Sequence, residues 1–402
     1  METFYLFLVI FLFVLAVFDL SVGVSNDAVN FLNSAIGSRA ASFKVIMVIA
    51  AIGIFVGASL SNGMMDIARH GIYQPQHFFF SEIMCILLAV MLTDVVLLDI
   101  FNSLGMPTST TVSLVFELLG GTVAIALVKI AHSDGALQFG DLLNTDKAFT
   151  VILAIFLSVA IAFFFGTVVQ YISRLIFTFN YKKHTKYFIA LFGGLAATSI
   201  LYFMLIKGLK ESSFMTGELK DVVYSNTDTI VWGAFIGFTV LMQILHWLKV
   251  NVFKVVVLMG TFALALAFAG NDLVNFIGVP LAGYSSYIDL MAQGGTTTTD
   301  TFLMTSLLEP AQTPWYFLVG SGLVMVIALA TSKKAQSVIK TSLDLSRQTE
   351  GNESFGTSPV ARVLVRTCNN TASTLLSVVP PRVKDWIDSR FNNDEIILEN
   401  KA

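Results

Sequence analysis

The sequence is poor in charged residues. Only 13% of its 402 residues are Asp, Glu, Lys or Arg, whereas 55% are hydrophobic. A soluble domain carries about 25% charged residues, so most of this chain faces something other than water. The mean hydropathy of +0.76 points the same way. The net charge of −3 gives no basic surface that would suit a nucleic acid.

Reactive and metal-binding patterns are also missing. The two cysteines, Cys85 and Cys368, lie far apart in the sequence, which excludes a disulfide framework. No CxxC, HExxH, GxSxG or GxxxxGK motif occurs, which argues against metalloproteases, serine hydrolases and P-loop proteins. An intramembrane enzyme would need a nucleophile, a base or a metal set within apolar segments, and the sequence offers none. We therefore predict no catalytic residues and no cofactor.

Long apolar runs are what the sequence has in abundance. A membrane-spanning helix needs about 20 largely apolar residues. Nine stretches meet that requirement and are predicted spans: 3–25, 42–61, 78–101, 107–130, 149–179, 186–206, 229–248, 252–277 and 314–331. Residues 1–24 lack the basic region and the cleavage site of a signal peptide, so we predict a retained helix there. The sequence thus predicts an all-α polytopic membrane protein.

Lysines predict the orientation of these spans. Three segments carry lysines: the loop 180–186 (Lys182, Lys183, Lys186), the loop 249–254 (Lys249, Lys254) and the chain after residue 331 (Lys333, Lys334). No Lys or Arg lies between Lys254 and Lys333. Alternation of the nine spans places the three basic segments on one side. The positive-inside rule makes that side cytoplasmic. We expect a multi-pass protein of the plasma membrane with its amino terminus outside and the polar residues 332–402 in the cytoplasm.

One short motif occurs twice. Residues 24–31 read V-S-N-D-A-V-N-F and residues 269–276 read A-G-N-D-L-V-N-F, each at the predicted end of an apolar helix. Helical spacing places Asn26, Asp27 and Asn30 on one face. The second copy supplies the same set: Asn271, Asp272 and Asn275. Repeats of this kind are typical of secondary transporters.

The chemistry of this N-D motif suits a small cation. Each copy offers one carboxylate and two amide carbonyls, which are hard oxygen ligands, and unwound backbone beside it would add free carbonyls. A carboxylate at membrane depth costs about 2.5–3.5 kcal/mol, so two of them in equivalent contexts suggest a bound positive charge. The alternative for either copy alone is a helix cap at the membrane surface.

A run of hydroxyl residues forms the second motif. Residues 105–111 read G-M-P-T-S-T-T and precede an apolar run. Pro107 suits the first turn of a helix, and Thr108, Ser109, Thr110 and Thr111 would then crowd that turn. The unpaired N–H groups and the positive dipole end of a helix favour an anion there. The motif predicts an anion cradle without fixed charge; the alternative is an ordinary Ser/Thr cap.

Five further ionisable residues lie inside the predicted spans: Asp19, Glu82, Asp94, Asp99 and Glu117. Each could line a cavity or sit at an interface. The stretch from Gly53 to Gly57 is a GxxxG motif, which predicts close packing of helices rather than contact with a substrate.

The doubled N-D-x-V-N and the P-T-S-T-T segment together resemble the inorganic phosphate transporter family. That family has a signature close to G-A-N-D-V-A-N near the start of each of two inverted halves and a P-x-S-T/G-T segment further on. The second copy here, A-G-N-D from Ala269, is near that signature, while the first has Val24 and Ser25 before Asn26. The resemblance implies a helical bundle with inverted repeats and broken helices, and symport of phosphate with sodium or protons.

The resemblance also implies roles for the motif residues. The predicted phosphate ligands are the hydroxyl run and one asparagine of each copy: Thr108, Ser109, Thr110, Thr111, Asn30 and Asn275. The predicted cation ligands are the remaining motif residues, with sodium at the two aspartates: Asn26, Asp27, Asn271 and Asp272.

We predict four parts of the chain: a first transmembrane repeat (1–179), connecting transmembrane helices (180–250), the start of a second inverted repeat (251–331) and the polar extension (332–402). The second copy is followed by no P-T-S-T-T segment, so we expect an incomplete second repeat. Two alternatives stay open, a permease for sulfate or another oxyanion with the same fold and a fragment that does not transport. The lipid bilayer, phosphate and the coupling ion are the expected partners; a homo-oligomer is also open, and no nucleic acid is expected.

Overall fold

A computed structural model describes residues 2–61, 67–133, 137–181, 185–205, 217–293, 297–309, 313–345, 356, 358–377 and 379–392. The regular structure of these residues is helical. The α-helices are α1 (Glu2–Gly37), α2 (Phe43–Leu60), α3 (Phe80–Ser103), α4 (Thr110–His132), α5 (Phe139–Leu142), α6 (Thr145–Phe177), α7 (Thr185–Phe203), α8 (Gly217–Ser225), α9 (Thr227–Trp247), α10 (Val252–Ala292), α11 (Trp315–Thr331), α12 (Lys333–Leu345), α13 (Pro359–Ser377) and α14 (Pro381–Arg390). Shorter helical turns are Ile67–Gly71, Pro75–His77 and Thr305–Leu308.

Each of the nine predicted spans coincides with one of these helices. Seven are long and apolar enough on their own to cross a membrane, and α11 joins α12 across a bend of 69° to make an eighth. The ninth, α7, is apolar over the shorter stretch Phe188–Phe203. The protein is therefore a multi-pass, all-α membrane protein, as the sequence predicts.

The helices differ from the prediction at the N-D motifs. We expected each copy to end a helix beside unwound backbone, but α1 continues past Asn30 to Gly37 and α10 continues past Asn275 and Pro280 to Ala292. The residues that follow each motif are buried, among them Phe31 and Phe276. Burial of these side chains favours a continued helix over an unwound segment. The sharp bend of the described chain lies instead between α11 and α12.

Helices α1 and α10 pack against each other in opposite directions. Contacts between them step up one helix as they step down the other. The pairs are Leu12 with Gly283, Phe13 with Tyr284, Gly23 with Phe276 and Phe31 with Phe268. The two copies of the motif therefore meet from inverted helices, which is the relationship expected of an inverted repeat.

Helix α2 crosses α10 at close range. A Cβ on Gly53 would lie 2.7 Å from the carbonyl oxygen of Phe262, and one on Gly57 would lie 2.2 Å from that of Leu266. Only glycine leaves room for this approach. The prediction that the GxxxG motif packs helices is confirmed.

Two sets of loops gather at opposite ends of the bundle. At one end, backbone hydrogen bonds join residues 72–80 to 142–144 and to 302–304. At the other end, the turn after α1 lies with Asn251, Lys254 and the end of α6 around one cavity, and Lys334 pairs with Asp99 of α3. The described basic loops thus share one end, as the alternation of spans predicts; Lys182 and Lys183 lie outside the described residues.

The chain bends by 69° between α11 and α12. Beyond it, α12 packs back onto α1, with Ala335, Val338 and Ile339 buried in the same core as the second half of α1. Helix α6 has many exposed apolar side chains, among them Phe156 and Phe163, as suits a surface in contact with lipid.

Candidate functional site

The hydroxyl motif follows a tight turn that ends α3. Gly105 has a φ of +67°, a left-handed conformation that favours glycine, and its N–H bonds the carbonyl of Asn102. Helix α4 then begins at Thr110, with Ser109 as its cap. Pro107 lies three residues before the helix, so our expectation that it occupies the first turn is wrong. Hydrogen bonds of Asn26 with Met106 and Thr108 hold this part of the loop, so Pro107 stays in the turn before α4.

Asn26 anchors the loop between α3 and α4. The Asn26 side chain is fully buried. Its amide nitrogen donates to the side-chain oxygen Oδ1 of Asn102 (2.8 Å) and to the backbone carbonyl of Met106 (3.1 Å). Its Oδ1 accepts from the backbone N–H of Thr108 (2.7 Å). Asn102 in turn donates to the carbonyl of Val22 (2.8 Å). The first asparagine of the motif therefore fixes the position of the hydroxyl run.

The four hydroxyls divide into two groups. Ser109 is exposed and its Oγ accepts from the N–H of Val112 (3.3 Å), which is the bond of an N-cap. Thr108 contributes the backbone N–H that binds Asn26. Thr110 and Thr111, in contrast, point their hydroxyls at the two N-D motifs.

Asp27 faces Thr110. The Thr110 hydroxyl donates to Oδ2 of Asp27 at 3.1 Å, and Asn30, one turn along α1, donates to Oδ1 at 3.5 Å. The Asp27 side chain is only 3% exposed, and Thr110 is buried as well. The first motif thus presents a buried carboxylate to the first turn of α4.

Asp272 faces the neighbouring Thr111. The Thr111 hydroxyl approaches Oδ1 of Asp272 at 3.4 Å, and the amides of Asn271 (3.0 Å) and Asn275 (3.3 Å) donate to the same oxygen. The Asn275 amide also reaches the hydroxyls of Thr111 (3.0 Å) and Thr110 (3.4 Å). Asn275 therefore links the second motif to both threonines.

Asp27 and Asp272 are close enough for their charges to interact. The charged groups that act most strongly on Asp27 are Asp272 and Asp94, both acidic. Within the described part of the chain, no group of three or more His, Cys, Asp or Glu side chains could hold a metal ion. The donor set is two carboxylates with hydroxyl and amide oxygens, which suits an alkali cation better than a transition metal.

The two copies of the motif are not used alike. Asn26 is buried, and both the nitrogen and the oxygen of its side-chain amide bond the end of α3 and the α3–α4 loop. Its counterpart Asn271 is exposed and donates to the adjacent Asp272. Asn30 and Asn275 each bond the aspartate of their own copy. The structure thus brings together most of the predicted residues and places Thr108 and Ser109 at the edge; their roles as ligands stay predictions.

Sequence reasoning missed Asn102 and Ser113. Asn102 holds the loop through Asn26, and Ser113 contacts two carboxyl groups. A polar residue at the end of an apolar span was the available signal for Asn102. The signal for Ser113 was its place one turn after the hydroxyl run, on the face of Thr110.

The other ionisable residues of the spans also divide. Glu82 pairs with Lys129 at 2.6 Å, and Asp99 pairs with Lys334 at 2.5 Å. Asp19 and Asp94 are buried and lie near Glu117. The first two are ion pairs near the ends of α3, and the other three form a cluster inside the bundle.

A cavity of about 1040 Å³ opens beyond the first motif, between the end of α1 and α12. Asn33 and Ser34 of α1 line it together with the basic side chains of Arg39 and Lys340. Asn33 lies one turn past Asn30, so the cavity begins close to the motif; Asp344 also lines it, so its wall carries charges of both signs.

Comparison with known proteins gives two findings. A sequence model described as the phosphate transporter family matches residues 23–342, which include both copies of the motif and the hydroxyl run. Among solved structures, "The sodium-dependent phosphate transporter" is similar in fold, with a TM-score of 0.59 and 19% sequence identity over 83% of this chain and 78% of that chain. No curated protein matches the chain.

Proposed function

The chain belongs to the phosphate transporter family, and we propose that it carries inorganic phosphate across the membrane in symport with a cation. The family match confirms the resemblance drawn from the two motifs. Membership of this family supports transport rather than catalysis. The coupling ion, the ligands and the orientation that follow are proposals.

One observation carries this proposal: the aspartates of the two inverted motifs meet at the first turn of a single helix. Asp27 accepts from Thr110 and Asp272 lies beside Thr111. The start of α4 offers unpaired N–H groups and the positive end of the helix dipole to an anion. The aspartates offer oxygen ligands to a cation at the same place. An anion and a cation can thus bind side by side.

Phosphate suits this site better than sulfate. At neutral pH phosphate retains hydrogens and can donate hydrogen bonds, whereas sulfate only accepts them. The amide oxygens of Asn30 and Asn275 are acceptors that would face the anion, while Asp27 and Asp272 would hold the cation. We propose that Thr110, Thr111, Asn30 and Asn275 contact the phosphate, and that Thr108 and Ser109 contribute through the helix end they shape.

Sodium is the coupling ion we propose, with protons as the alternative. A carboxylate about 4 Å from an anionic substrate costs about 4 kcal/mol per pair of unit charges at an effective dielectric constant near 20. A cation held by Asp27 and Asp272 reverses this repulsion, so cation and phosphate each raise the affinity for the other. The similar solved structure is named as sodium-dependent, which supports sodium. Asn271 would complete the cation site, while Asn26 would act by holding the loop.

The orientation we propose follows the basic residues. Lys254 and Lys334 lie at the end of the bundle where α1 terminates, and the positive-inside rule makes that end cytoplasmic. The amino terminus would then lie outside a plasma membrane, and 332–402 inside. The cavity lined by Arg39 and Lys340 would open to the cytoplasm.

Uptake into proteoliposomes tests the proposal. The full chain is reconstituted, and labelled phosphate or labelled sulfate is supplied under a sodium gradient or, separately, a proton gradient. We expect phosphate to accumulate under the sodium gradient and sulfate to remain outside. Equal uptake without any cation gradient would contradict symport, and equal uptake of sulfate would make the chain a general oxyanion permease. Lack of all uptake would support the non-transporting alternative.

A further inference from the structure

Three carboxyl groups that the proposed phosphate site does not use lie together on three helices. Asp19 belongs to α1, Asp94 to α3 and Glu117 to α4. Asp19 and Asp94 are 0% and 1% exposed, and Glu117 is half-buried. Asp19 precedes Asp27 by eight residues and Glu117 follows Thr111 by six, which is about 9–12 Å along the helices. The acidic cluster is therefore a separate layer, about two turns from the N-D motifs.

The contacts of Ser113 point to a proton in this cluster. Its Oγ lies 2.6 Å from Oδ1 of Asp94 and 2.7 Å from Oε1 of Glu117. Both are good distances for a hydrogen bond between oxygens. A hydroxyl has one hydrogen and can donate only once. At the other contact the carboxyl must be the donor, and it can donate only when it is protonated.

The unpartnered oxygens of the cluster lead to the same requirement. An ionised carboxylate has no hydrogen to donate. Both oxygens of Asp19, Oδ2 of Asp94 and Oε2 of Glu117 are buried without a hydrogen-bond partner among the described residues. Burial of an ionised carboxylate without a partner is costly, so a proton here satisfies otherwise orphaned acceptors.

Among the residues that the structure describes, no basic side chain acts on the cluster. The charged groups that act on Asp19 are all acidic: Asp94, Glu117 and, from the proposed phosphate site, Asp27. The negative charge of Asp272 on α10 acts in turn on Asp27. On the helices packed against α3, Lys129 of α4 pairs with Glu82 and Lys334 of α12 pairs with Asp99. The three carboxyl groups are not arranged to hold a metal ion, since within the described residues no group of three or more His, Cys, Asp or Glu side chains could do so.

We infer that Asp19, Asp94, Ser113 and Glu117 form a second ion site, whose ligand is an exchangeable proton. Transfer within it is balanced. The protonated carboxyl of Glu117 gives its proton to the Ser113 oxygen while the Ser113 hydroxyl gives its own to Asp94, so Glu117 loses one proton, Asp94 gains one and the serine is unchanged. Half-buried Glu117 is the point of entry, and Asp19 is the inner end.

A link between this proton and transport rests on the proposed function. Asp19 shares α1 with Asp27, and Ser113 and Glu117 share α4 with Thr110 and Thr111. Ser113 lies one turn from Thr110, so a shift of α4 that follows a change in protonation displaces the proposed phosphate ligands. Phosphate uptake should then depend on pH through this cluster in addition to any dependence from phosphate itself.

Infrared spectroscopy of the purified full chain tests the proton site without phosphate or sodium. The stretching band of a protonated carboxyl should be present at neutral pH, shift in heavy water and decline reversibly as the pH is raised. Asp94→Asn and Glu117→Gln should each reduce it. Glu82→Gln is the control: Glu82 lies on α3, as Asp94 does, and pairs with Lys129 of α4. This variant should leave the band unchanged. Ser113→Ala is the mildest change, so this variant should still fold. It removes the hydroxyl that contacts Asp94 and Glu117, so the frequency of the band should shift.

Absence of the band in the wild type, or an unchanged band in Ser113→Ala, would overturn the proton site. The link to transport has its own readout, the pH profile of phosphate uptake. That profile should flatten in Glu117→Gln and keep its shape in Glu82→Gln; the wild-type profile in Glu117→Gln would overturn the link. A wild type that carries no phosphate would refute the proposed function and still leave the infrared result readable.

Discussion

Asp27 and Asp272 reach the same helix end from two antiparallel helices, and each lies beside one of two consecutive threonines. Neither aspartate has a described basic neighbour among the charged groups that act on it most strongly. Two acidic groups brought this close inside a membrane protein repel each other. Four predictions follow from this arrangement and from the packing that maintains it.

The aspartates should confer the dependence of phosphate binding on the cation. Asp27→Asn and Asp272→Asn keep the shape of the side chain and a carbonyl oxygen but remove the charge. Each variant should fold and should bind phosphate with little response to sodium. The measurement is phosphate binding to purified protein across a sodium titration and, separately, across a pH titration. Asp99→Asn, which loses a carboxylate paired with Lys334, is the control and should respond as the wild type does. Full cation dependence in both motif variants would make the aspartates structural.

The two threonines should matter more for binding than the preceding serine. Thr110→Val and Thr111→Val remove a hydroxyl donor to a charged group and keep the volume. A hydrogen bond to a charged group contributes about 1.5–3 kcal/mol, so we expect binding of phosphate and cation to weaken roughly 10- to 150-fold. Ser109→Ala removes an N-cap, which costs about 1 kcal/mol of stability, and should change affinity less. The reverse order of effects on affinity would place the anion nearer to Ser109.

The equivalent asparagines of the two copies should differ in their effect on stability. Asn26→Ala breaks three hydrogen bonds at a fully buried position. At about 1 kcal/mol each, the expected loss is about 3 kcal/mol, seen as a lower midpoint of thermal unfolding in detergent. Asn271→Ala changes an exposed side chain, and surface changes stay within about 0.5 kcal/mol. Equal loss in the two variants would show that Asn271 has a structural partner as well.

Close packing of α2 on α10 should tolerate no side chain at Gly57. A Cβ there would lie 2.2 Å from a backbone oxygen, which cannot move like a flexible side chain. Gly57→Ala should therefore cost at least the 1–3 kcal/mol typical of an overpacked core. Gly120→Ala in α4 is the matched control, because its Cβ would meet none of the described atoms within 4 Å. Thermal unfolding of the two variants side by side gives the comparison.

The sequence predicts the spans and the inversion well because both depend on simple requirements. A helix that crosses a bilayer must be long and apolar, and this leaves a plain pattern. The inversion follows from counting spans between the two N-D motifs, and the series of contacts between α1 and α10, from Leu12 with Gly283 to Phe31 with Phe268, agrees with it. The use of Gly53 and Gly57 for packing was equally readable, since few other functions require small residues four apart.

The local details were less accessible because they depend on tertiary contacts. The continuation of α1 beyond Asn30 depends on burial of residues such as Phe31, which no local pattern reveals. From the sequence alone Pro107 suits the first turn of a helix, but the hydrogen bond from Thr108 to Asn26 holds this segment as a loop before α4. The double contact of Ser113 needs a carboxyl from another helix, which cannot be located from one sequence.

Thr110 and Thr111 are joined by a single peptide bond, and this limits how independently the two repeats can act. If one repeat moved away with its ion while the other stayed, the peptide would have to be displaced from one aspartate to satisfy the other. In the proposed symport, so short a connection would leave little room for slippage, in which the cation crosses without phosphate. The strictness of its stoichiometry would then follow from the adjacency of two residues rather than from a distant gate.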